Sequence, residues 1–454
     1  MTSGASTSEP RRRGDPGDRR LRAVLALCVV GLAAGAYWLQ DIVDPRVRAL
    51  GGVLCFITLV AACSSNLRAV NWRTVGVGFA LQLLLALFIL KFEVAGMRPG
   101  YAFFTAIAAV VTQFLEFTNA GSQFVFGGLA DPALMAELFP NGFVLAFAAL
   151  PIIIFVSSFF TVLYYFGVLQ FVVRIMAKPM MHLLGTSGAE TLSAAANVLM
   201  GVTEAPLMVK PYVEKMTQSE LLALMVGGLA TIAGSMMAVY ISLGADPVAM
   251  LATSVMAAPC GLYLSKILLP ETEHPATRGR VTLAVESRHV NVIDAAAAGA
   301  ADGTRLAINV AAMLIAFLAF IALIDYLLGL MSPELSLARA FSWLFAPVAS
   351  LLGVPAADVP AMADLLGTKL AANEFVAYAK LSTDYQEVLS ERSRTLATFA
   401  LTGFANFGTI GILLGGIGGI APSRRADLAR LSSRALLAGY VATLLNAAIA
   451  SMLL

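Results

Sequence analysis

The sequence predicts an all-α polytopic membrane protein that is arranged as an inverted repeat, with two re-entrant helical hairpins and broken helices. Hydrophobic residues make up 59% of the 454 residues and charged residues only 13%, which is far from the composition of a soluble domain. Apolar stretches long enough to cross a bilayer recur along the chain. Two further apolar regions carry ionisable side chains, which are expensive in hydrocarbon and are expected to face a cavity or a partner.

The apolar stretches predict full spans of about 17 to 25 residues each. A basic segment precedes the first of them, so a cleavable signal peptide is the alternative interpretation of that stretch. The lack of a small-residue cleavage site and the apolar segments that follow favour a retained span. The predicted spans are 23–40, 50–66, 74–92, 142–170, 220–243, 248–269, 306–331, 395–420 and 433–454.

The distribution of lysine and arginine predicts a cytoplasmic N-terminus. When the arginine-rich tail is placed inside, the loops alternate and the basic segments named below fall inside, as the positive-inside rule requires. The net charge of +2 offers no basic face for a nucleic acid. The basic residues assigned inside include Arg11, Arg12, Arg13, Arg19, Arg20, Arg22, Arg68, Arg73, Arg174, Lys178, Lys266, Arg278, Arg280, Arg288 and the cluster from Arg424 to Arg434. The acidic residues of the 93–141 stretch, assigned outside, are Glu93, Glu116, Asp131 and Glu137.

Residues 184–217 and 340–382 are apolar but are poor candidates for simple spans. The first region enters and leaves from the cytoplasm and the second from outside, so we interpret both as re-entrant hairpins whose tips line a solvated chamber. The ionisable residues expected at membrane depth in these regions are Glu190, Glu204, Lys210, Asp364, Lys369 and Glu374.

A glycine-interrupted helix follows each hairpin, beginning near Gly227 in the first unit and near Gly403 in the second. Because the two units enter from opposite faces, they form an inverted repeat, the arrangement that places transporter binding sites near the midplane. Pro206 favours a break next to the first tip. The run from Gly411 to Gly419 is also expected to be a poor continuous helix, or alternatively a close packing surface.

The tips pair carboxylates with neutral polar groups, Glu204 with Thr203 and Glu374 with Asn373. A carboxylate at low dielectric accepts hydrogen bonds strongly from the hydroxyls or amides of a small polar molecule. The alternative is that Lys210 and Lys369 pair with these glutamates, which then only hold the hairpins in place.

Neutral oxygen ligands for a small cation are also present near the first tip. Such ligands suit sodium better than soft ligands would. The candidates are the side chains of Asn197 and Ser235 and the carbonyls of Met200 and Met236. Alternatively, Asn197 and Ser235 only join helices by hydrogen bonds. Either tip glutamate could instead carry a proton, so the sequence leaves both sodium and proton coupling open.

No sequence motif indicates an enzyme. The chain has no H-E-x-x-H pair, no G-x-S-x-G elbow and no Walker motif. The cysteines lie in apolar stretches without the spacing of a zinc site or a disulfide framework. We therefore expect no cofactor besides a coupling ion. A passive channel, which glycine-rich broken helices also permit, is the alternative function.

At these positions the sequence resembles the concentrative nucleoside transporter (CNT) family, and within it the bacterial members. The resemblance covers most of the chain after about residue 75. The extra leading span distinguishes this sequence from the shortest bacterial members, in which eight spans are usual. The matching segments are Gly185–Thr191, Gly201–Tyr212, Thr217–Gly244, Asn373–Tyr378 and Leu401–Pro422.

The resemblance implies nucleoside import across a bacterial inner membrane, driven by sodium or protons, by a homotrimer. In each protomer a transport domain would move like an elevator against a scaffold. The expected divisions are a basic tail (1–22), spans with an interfacial helix that are mostly scaffold (23–170), the first transport segment (171–269), a cytoplasmic loop with a scaffold span (270–331), and the second transport segment (332–454).

The resemblance also implies roles for individual residues. Thr203 and Glu204 would contact the nucleobase. The ribose hydroxyls would be bound by Glu374, Asn406 and Thr409, and Phe404 would pack against the ligand. Asn197, Met200, Ser235 and Met236 would hold the coupling ion. Family members usually have glutamine where Val202 stands at the first tip, and losing one polar contact is worth on the order of 1–3 kcal/mol. Preference between purines and pyrimidines is therefore left open.

Overall fold

The computed structural model describes residues 16–131, 134, 135, 137, 144–279 and 289–454, with side chains from residue 20 onward. In these ranges the chain is helical, apart from loops and one isolated antiparallel bridge between Val94 and Met97. The predicted cytoplasmic residues Arg11, Arg12, Arg13, Arg280 and Arg288, and the side chain of Arg19, lie outside the described part.

The described helices of nine residues or more are numbered here in chain order. They are α1 Pro16–Trp38, α2 Pro45–Ala62, α3 Trp72–Leu90, α4 Pro99–Phe126, α5 Leu150–Tyr165, α6 Val168–Leu184, α7 Gly188–Ala196, α8 Gln218–Ala230, α9 Gly234–Ser242, α10 Pro247–Leu268, α11 Val292–Met331, α12 Leu337–Leu351, α13 Val359–Ala371, α14 Glu374–Thr383, α15 Glu391–Leu401, α16 Phe407–Ile420 and α17 Arg425–Leu453.

Among the described residues, nine helical segments are long and apolar enough to cross a membrane. Eight of them correspond to predicted spans. The ninth, Pro99–Ala130, falls in the stretch that the charge pattern placed outside. The predicted span 395–420 is instead divided into α15 and α16. Helix α11 begins at Val292, well before the predicted 306, because the Asn291 side chain caps it by accepting from the Asp294 N–H.

Both predicted helix breaks near the hairpins are present. The first separates α8 from α9 at 231–233, and the second separates α15 from α16 at 402–406. Gly403 has a φ of +134°, a conformation that favours glycine. The prediction that Gly411–Gly419 interrupts the helix is wrong, because α16 is continuous there. The Asn406 side chain caps its start by accepting from the Thr409 N–H, and apolar residues between the glycines continue the helix.

The first hairpin consists of α7 followed by two short helices, Ala205–Met208 and Lys210–Val213. The second consists of α13 and α14, with its tip at Ala372–Asn373. It begins at 359 and not at the predicted 340, because α12 is a separate helix that ends before Gly353. That glycine has a φ of +70°, and its backbone lies against the carbonyl of Pro45.

Two capping boxes join the start of the first hairpin to the start of its broken helix. Ser187 and Glu190 cap α7, and Thr217 and Glu220 cap α8. The Ser187 hydroxyl also donates to Oε1 of Glu220 at 2.5 Å. Because each cap satisfies otherwise unpaired helix N–H groups, this cross-link fixes the two helix starts side by side.

A buried polar network ties three long helices together. Gln82 of α3 donates from Nε2 to Oδ1 of Asn446 on α17 at 2.7 Å, and its Oε1 accepts from the Tyr263 hydroxyl of α10 at 2.7 Å. Asn446 in turn donates to the Thr253 hydroxyl of α10 at 3.0 Å. Helices α2, α3 and α10 thus pack around α17, the helix against which the first broken helix also packs.

Helices α5 and α11 form a separate close pair. The backbone of α11 approaches α5 at Gly299 and Gly303, where no side chain separates the two helices. Within the predicted division 23–170, α2 and α3 pack with α17 and α10, whereas α5 packs with α11 and also contacts α9.

We predict that Gly303→Ala loosens this pair. A Cβ at Gly303 would lie 2.8 Å from Cα of Ile154 and 2.9 Å from the carbonyl oxygen of Ile153. Both are backbone atoms, so the helices must move apart, at an expected cost of about 1–3 kcal/mol. The thermal unfolding midpoint of the purified protein in detergent should fall by a few degrees.

Gly329→Ala is the matched control in the same helix, because nothing lies within 4 Å of a Cβ there. Its midpoint should stay the same or rise slightly, since alanine favours helix over glycine. Equal midpoints for the two variants would contradict the close approach.

Candidate functional site

A chamber of about 810 Å³ lies against the tip of the first hairpin. Its walls come from that tip, from α5, from the start of α9 and from α11. The volume is in the range of pockets that bind small organic molecules. Four of the predicted site residues line it: Met200, Thr203, Glu204 and Ser235.

The first tip presents its carboxylate to this chamber. Helix α7 ends at Ala196, and the next short helix begins only at Ala205, with Pro206 in its first turn. The N–H of Gly201 donates to Oε2 of Glu204 at 3.2 Å, which folds the tip back on itself. The side chains of Thr203 and Glu204 are exposed, so both can meet a ligand in the chamber.

The second tip holds its carboxylate in a buried polar network. Oε2 of Glu374 accepts from Nδ2 of Asn406 at 2.8 Å. Oδ1 of Asn406 accepts from the N–H of Thr409 at 2.9 Å and from its hydroxyl at 3.1 Å. The structure therefore brings together Glu374, Asn406 and Thr409, three residues predicted to act at one end of the ligand. They lie outside the wall of the chamber just described.

Tyr240 of α9 completes this network and was missed from the sequence. Its hydroxyl donates to Oε1 of Glu374 at 2.9 Å, and its ring stacks on Tyr378 with centroids 4.4 Å apart. It thereby joins the first repeat to the tip of the second. The only sequence signal was an aromatic residue with a hydroxyl inside an apolar stretch, which is more often a packing residue.

The two helix breaks lie directly against each other. The Phe404 N–H donates to the carbonyl of Thr231 at 3.1 Å. A Cβ at Gly403 would lie 3.1 Å from the carbonyl oxygens of both Leu229 and Ala230, so only glycine allows this approach. Phe404 is partly buried and packs against the core beside this contact between the two breaks.

The residues predicted to hold a cation surround the first break. Asn197 is 1% exposed, and Nδ2 donates to the carbonyl of Ser193 at 2.9 Å. Oδ1 of Asn197 is buried and has no hydrogen-bond partner among the described residues. The Gly234 N–H donates to the carbonyl of Leu199 at 3.1 Å, which places Ser235 beside Met200. An unpaired neutral oxygen among such groups fits a sodium ion. Met236 lies in the same turn of α9, 5% exposed.

Val202 lies against the first broken helix. It is 8% exposed, and a Cβ at Gly228 would lie only 2.7 Å from its Cγ2. It is not among the residues that line the chamber in this conformation.

Neither lysine predicted as a partner forms an ion pair with a tip glutamate. Nζ of Lys369 donates to the carbonyl of Ala400 at 2.8 Å and to the Thr443 hydroxyl at 2.9 Å. Lys210 lies on the chamber wall with Glu204, and no ion pair within 4 Å joins those two described residues. The predicted ion-pair alternative is therefore wrong for both tips. Two other acids predicted at membrane depth form ion pairs, Glu190 with Lys266 and Asp364 with Lys380.

Three family models match consecutive parts of the chain. They are described as Na+ dependent nucleoside transporter N-terminus (residues 51–129), Nucleoside recognition (146–247) and Na+ dependent nucleoside transporter C-terminus (249–451). Together they cover the chamber, both hairpins and both broken helices.

Similar proteins include an uncharacterized transporter of Haemophilus influenzae, 43% identical over 411 residues, which cover 88% of this chain and 96% of that protein. Sodium/nucleoside cotransporter 1 of Mus musculus is 42% identical over 422 residues, which cover 88% of this chain. The match spans 63% of the mouse protein, less than two thirds of its length.

Solved structures of CNTnw are similar over nearly their whole length. The inward-facing substrate-bound state of CNTnw is 39% identical, with a TM-score of 0.85, over 90% of this chain and 98% of that chain. An outward-facing CNTnw variant gives 39% identity and a TM-score of 0.85, over 90% and 97%. This multi-pass membrane protein, with its two hairpins and its two contacting helix breaks, is therefore a transporter and not an enzyme, and it belongs to the family of sodium-dependent nucleoside transporters.

Proposed function

We propose that this protein is a sodium-coupled symporter that imports nucleosides by alternating access. The observation that carries the proposal is a carboxylate at the tip of each hairpin, beside two helix breaks that contact each other. One, Glu204, is exposed to a chamber of about 810 Å³, and the other, Glu374, is held by Tyr240 and Asn406. A nucleoside has a base edge and ribose hydroxyls, two polar ends that need two separate sets of partners.

The roles of the tips follow from their chemistry. Thr203 and Glu204 offer a hydroxyl and a carboxylate to a base edge. Glu374, Asn406 and Thr409 form the ribose subsite, because a carboxylate oriented by neutral donors accepts strongly from hydroxyls. The flat ring of Phe404 packs against the ligand between the two sets.

Base preference depends on the first tip. The packing of Val202 against Gly228 gives it no polar contact to a base. We therefore propose that Thr203 and Glu204 alone distinguish purines from pyrimidines, without a side-chain amide beside them.

Sodium is the proposed coupling ion, and the membership of the family supports it over protons. Its ligands would be the side-chain oxygens of Asn197 and Ser235 together with the carbonyls of Met200 and Met236. The buried, unpaired Oδ1 of Asn197 supports this assignment. A buried acceptor without a partner loses the free energy of its hydration, and a bound cation would compensate that loss.

An elevator-type movement is the proposed route between the two sides. Solved states of CNTnw include inward-facing, intermediate and outward-facing ones. Here the hairpins and broken helices, packed with α2, α3, α10 and α17, would form the moving body. The α5–α11 pair would belong to the scaffold, and three copies would assemble through it as a homotrimer.

The proposed location is the cytoplasmic membrane of a bacterium, with the N-terminus inside. Exposed large apolar side chains on α1, α4 and α11 support embedding in lipid or contact with another copy. Examples are Leu27, Phe124, Ile315 and Phe320.

The experiment that tests the proposal is uptake of radiolabelled uridine and adenosine into proteoliposomes, with sodium replaced by choline across a range of external pH. Accumulation above equilibrium that requires sodium at every pH is the expected result. A passive channel would only equilibrate the nucleoside, and uptake that persists at low pH without sodium would indicate protons. Nucleoside uptake no greater than that of empty vesicles would contradict the proposal.

We predict that Tyr240→Phe weakens nucleoside binding. The variant leaves Oε1 of Glu374 without its donor, and a hydrogen bond to a charged group is worth about 1.5–3 kcal/mol. The apparent KM for uridine should rise about tenfold or more, whereas the sodium concentration for half-maximal uptake should change little.

Tyr378→Phe is the control, because the Tyr378 hydroxyl contacts Thr398 and Thr402 and not Glu374. It retains the ring that stacks on Tyr240. Similar KM values for both variants would show that Tyr240 does not act through Glu374.

We predict that Asn197→Ala weakens sodium activation. Losing one oxygen ligand should raise the sodium concentration for half-maximal uptake on the order of tenfold. The KM for uridine at saturating sodium should stay within about a factor of two. Gln170→Ala is the control, because Oε1 of Gln170 is also buried and unpaired among the described residues but lies on α6. A sodium response that shifts equally in both variants would count against the assigned ion site.

A further inference from the structure

Asp302 places a second carboxylate on the wall of the chamber. It lies on α11 and lines the same chamber as Glu204 of the first tip. Its backbone position is fixed, because Gly299 and Gly303 on either side of it lie directly against α5. A Cβ at these two glycines would lie 2.7 Å and 2.8 Å from Cα atoms of that helix. The chamber therefore has carboxylates on two walls, one on the hairpin and one on α11.

The side chain of Asp302 is available to a ligand. It is 75% exposed, and its ion pair joins Oδ1 to Nη1 of Arg305 at 3.6 Å. Arg305 is 81% exposed, and an exposed pair at this separation contributes little to stability. Arg305 is also not among the residues that line the chamber. A ligand in the chamber can therefore donate to Asp302 without displacing a strong partner.

Asp302 is also close enough to Glu204 to act on it. Of the charged side chains in the described part of the chain, Asp302 is the one whose charge acts on this carboxylate through space. The cation on the chamber wall, Lys210, lies further along the hairpin, at the start of the short helix Lys210–Val213. The part of the chamber next to Glu204 therefore presents two strong hydrogen-bond acceptors to a ligand.

Nucleobases differ in what they offer to two acceptors. Cytosine and adenine carry an exocyclic amino group with two N–H donors, whereas uracil and hypoxanthine carry a carbonyl oxygen at the same position. An ionised carboxylate only accepts hydrogen bonds. An amino group can donate one N–H to each carboxylate, whereas a carbonyl oxygen would leave one carboxylate unpaired and be repelled by its charge. Val202 has no side-chain amide that could donate to such a carbonyl.

We propose that Asp302 is a specificity-determining residue that, together with Glu204, selects nucleosides with an amino group on the base, such as cytidine and adenosine, over those with a carbonyl, such as uridine and inosine. This inference rests on the proposed function. The choice between amino and carbonyl bases is separate from the choice between purines and pyrimidines, because each ring class has members of both kinds. Asp302 contributes from α11, so it contacts the base in conformations in which the first tip lies beside that helix.

The wild-type protein provides the first test, because it needs no variant to fold. Purified protein in detergent with saturating sodium is loaded with radiolabelled adenosine, and unlabelled cytidine, uridine, adenosine and inosine displace it. Equilibrium binding is measured in place of uptake, because the KM of uptake also depends on the rates of movement between the two sides. The Kd should be about tenfold lower for cytidine than for uridine, and about tenfold lower for adenosine than for inosine. Equal Kd values within either pair would overturn the proposal.

The second test compares Asp302→Asn with Asp325→Asn. Asparagine keeps the size of the side chain and adds an N–H donor. D302N should therefore bind uridine and inosine more tightly than the wild type does, and the preference for amino bases should fall from about tenfold to about one. A folding defect would weaken the binding of all four nucleosides and would not strengthen any of them.

D325N is the matched control on the same helix. Asp325 lies about 34 Å further along α11. Its Oδ1 accepts from the Leu337 N–H at 2.6 Å, and an asparagine can accept in the same way. D325N should retain the wild-type preference, and the same preference in D302N would refute the role of Asp302.

The outcomes separate the role of Asp302 from the proposed function. Failure of the wild type to bind any of the four nucleosides in the presence of sodium would count against the proposed function itself. Binding of all four without a preference between amino and carbonyl bases would leave that function in place and overturn only the role of Asp302. A preference for carbonyl bases would also overturn it, and would indicate that a donor such as Lys210 decides.

Discussion

The contact on which the rest of the structure depends is the crossing of the two helix breaks, where the Phe404 N–H donates to the carbonyl of Thr231. Inside a bilayer every backbone polar group needs a partner within the protein. Each break exposes such groups, and the crossing lets one break satisfy the other. The hydroxyls of Thr231 and Thr402 donate hydrogen bonds to carbonyls of the preceding helical turn, at 2.9 Å and 2.6 Å. The two broken helices therefore support each other at this contact.

The crossing also concentrates helix ends at one place. The start of α16, capped by Asn406, and the end of α15, beside Lys369, face opposite sides of the same break. The N-terminus of a helix favours anionic or acceptor groups, and the C-terminus favours cations. The start of α16 carries partial positive charge and the end of α15 carries partial negative charge. This difference explains why the carboxylate of Glu374 and the ammonium of Lys369 both lie near the second break.

The ionisable residues made the hairpins predictable, because Glu204 and Glu374 have no place in a simple span. The positions of the breaks were predicted in part. The breaks after Gly227 and at Gly403 are present, whereas glycine content alone wrongly predicted a further interruption at Gly411–Gly419, where the helix that Asn406 caps is continuous. The start of the second hairpin depended on a tertiary contact between Gly353 and Pro45, which no local pattern encodes. Tyr240 could not be predicted for the same reason, because its partner Glu374 is 134 residues away.

The length of α11 has a consequence for the bilayer around the protein. Forty residues of α-helix extend about 60 Å, roughly twice the thickness of the hydrocarbon core. The helix must run obliquely or project beyond the lipid, and its glycine contacts with α5 lie near its first end only. A helix that runs obliquely presents apolar surface over a range of depths in the bilayer. A body sliding beside it would keep an apolar neighbour throughout its travel, so the membrane would not need to deform at either limit.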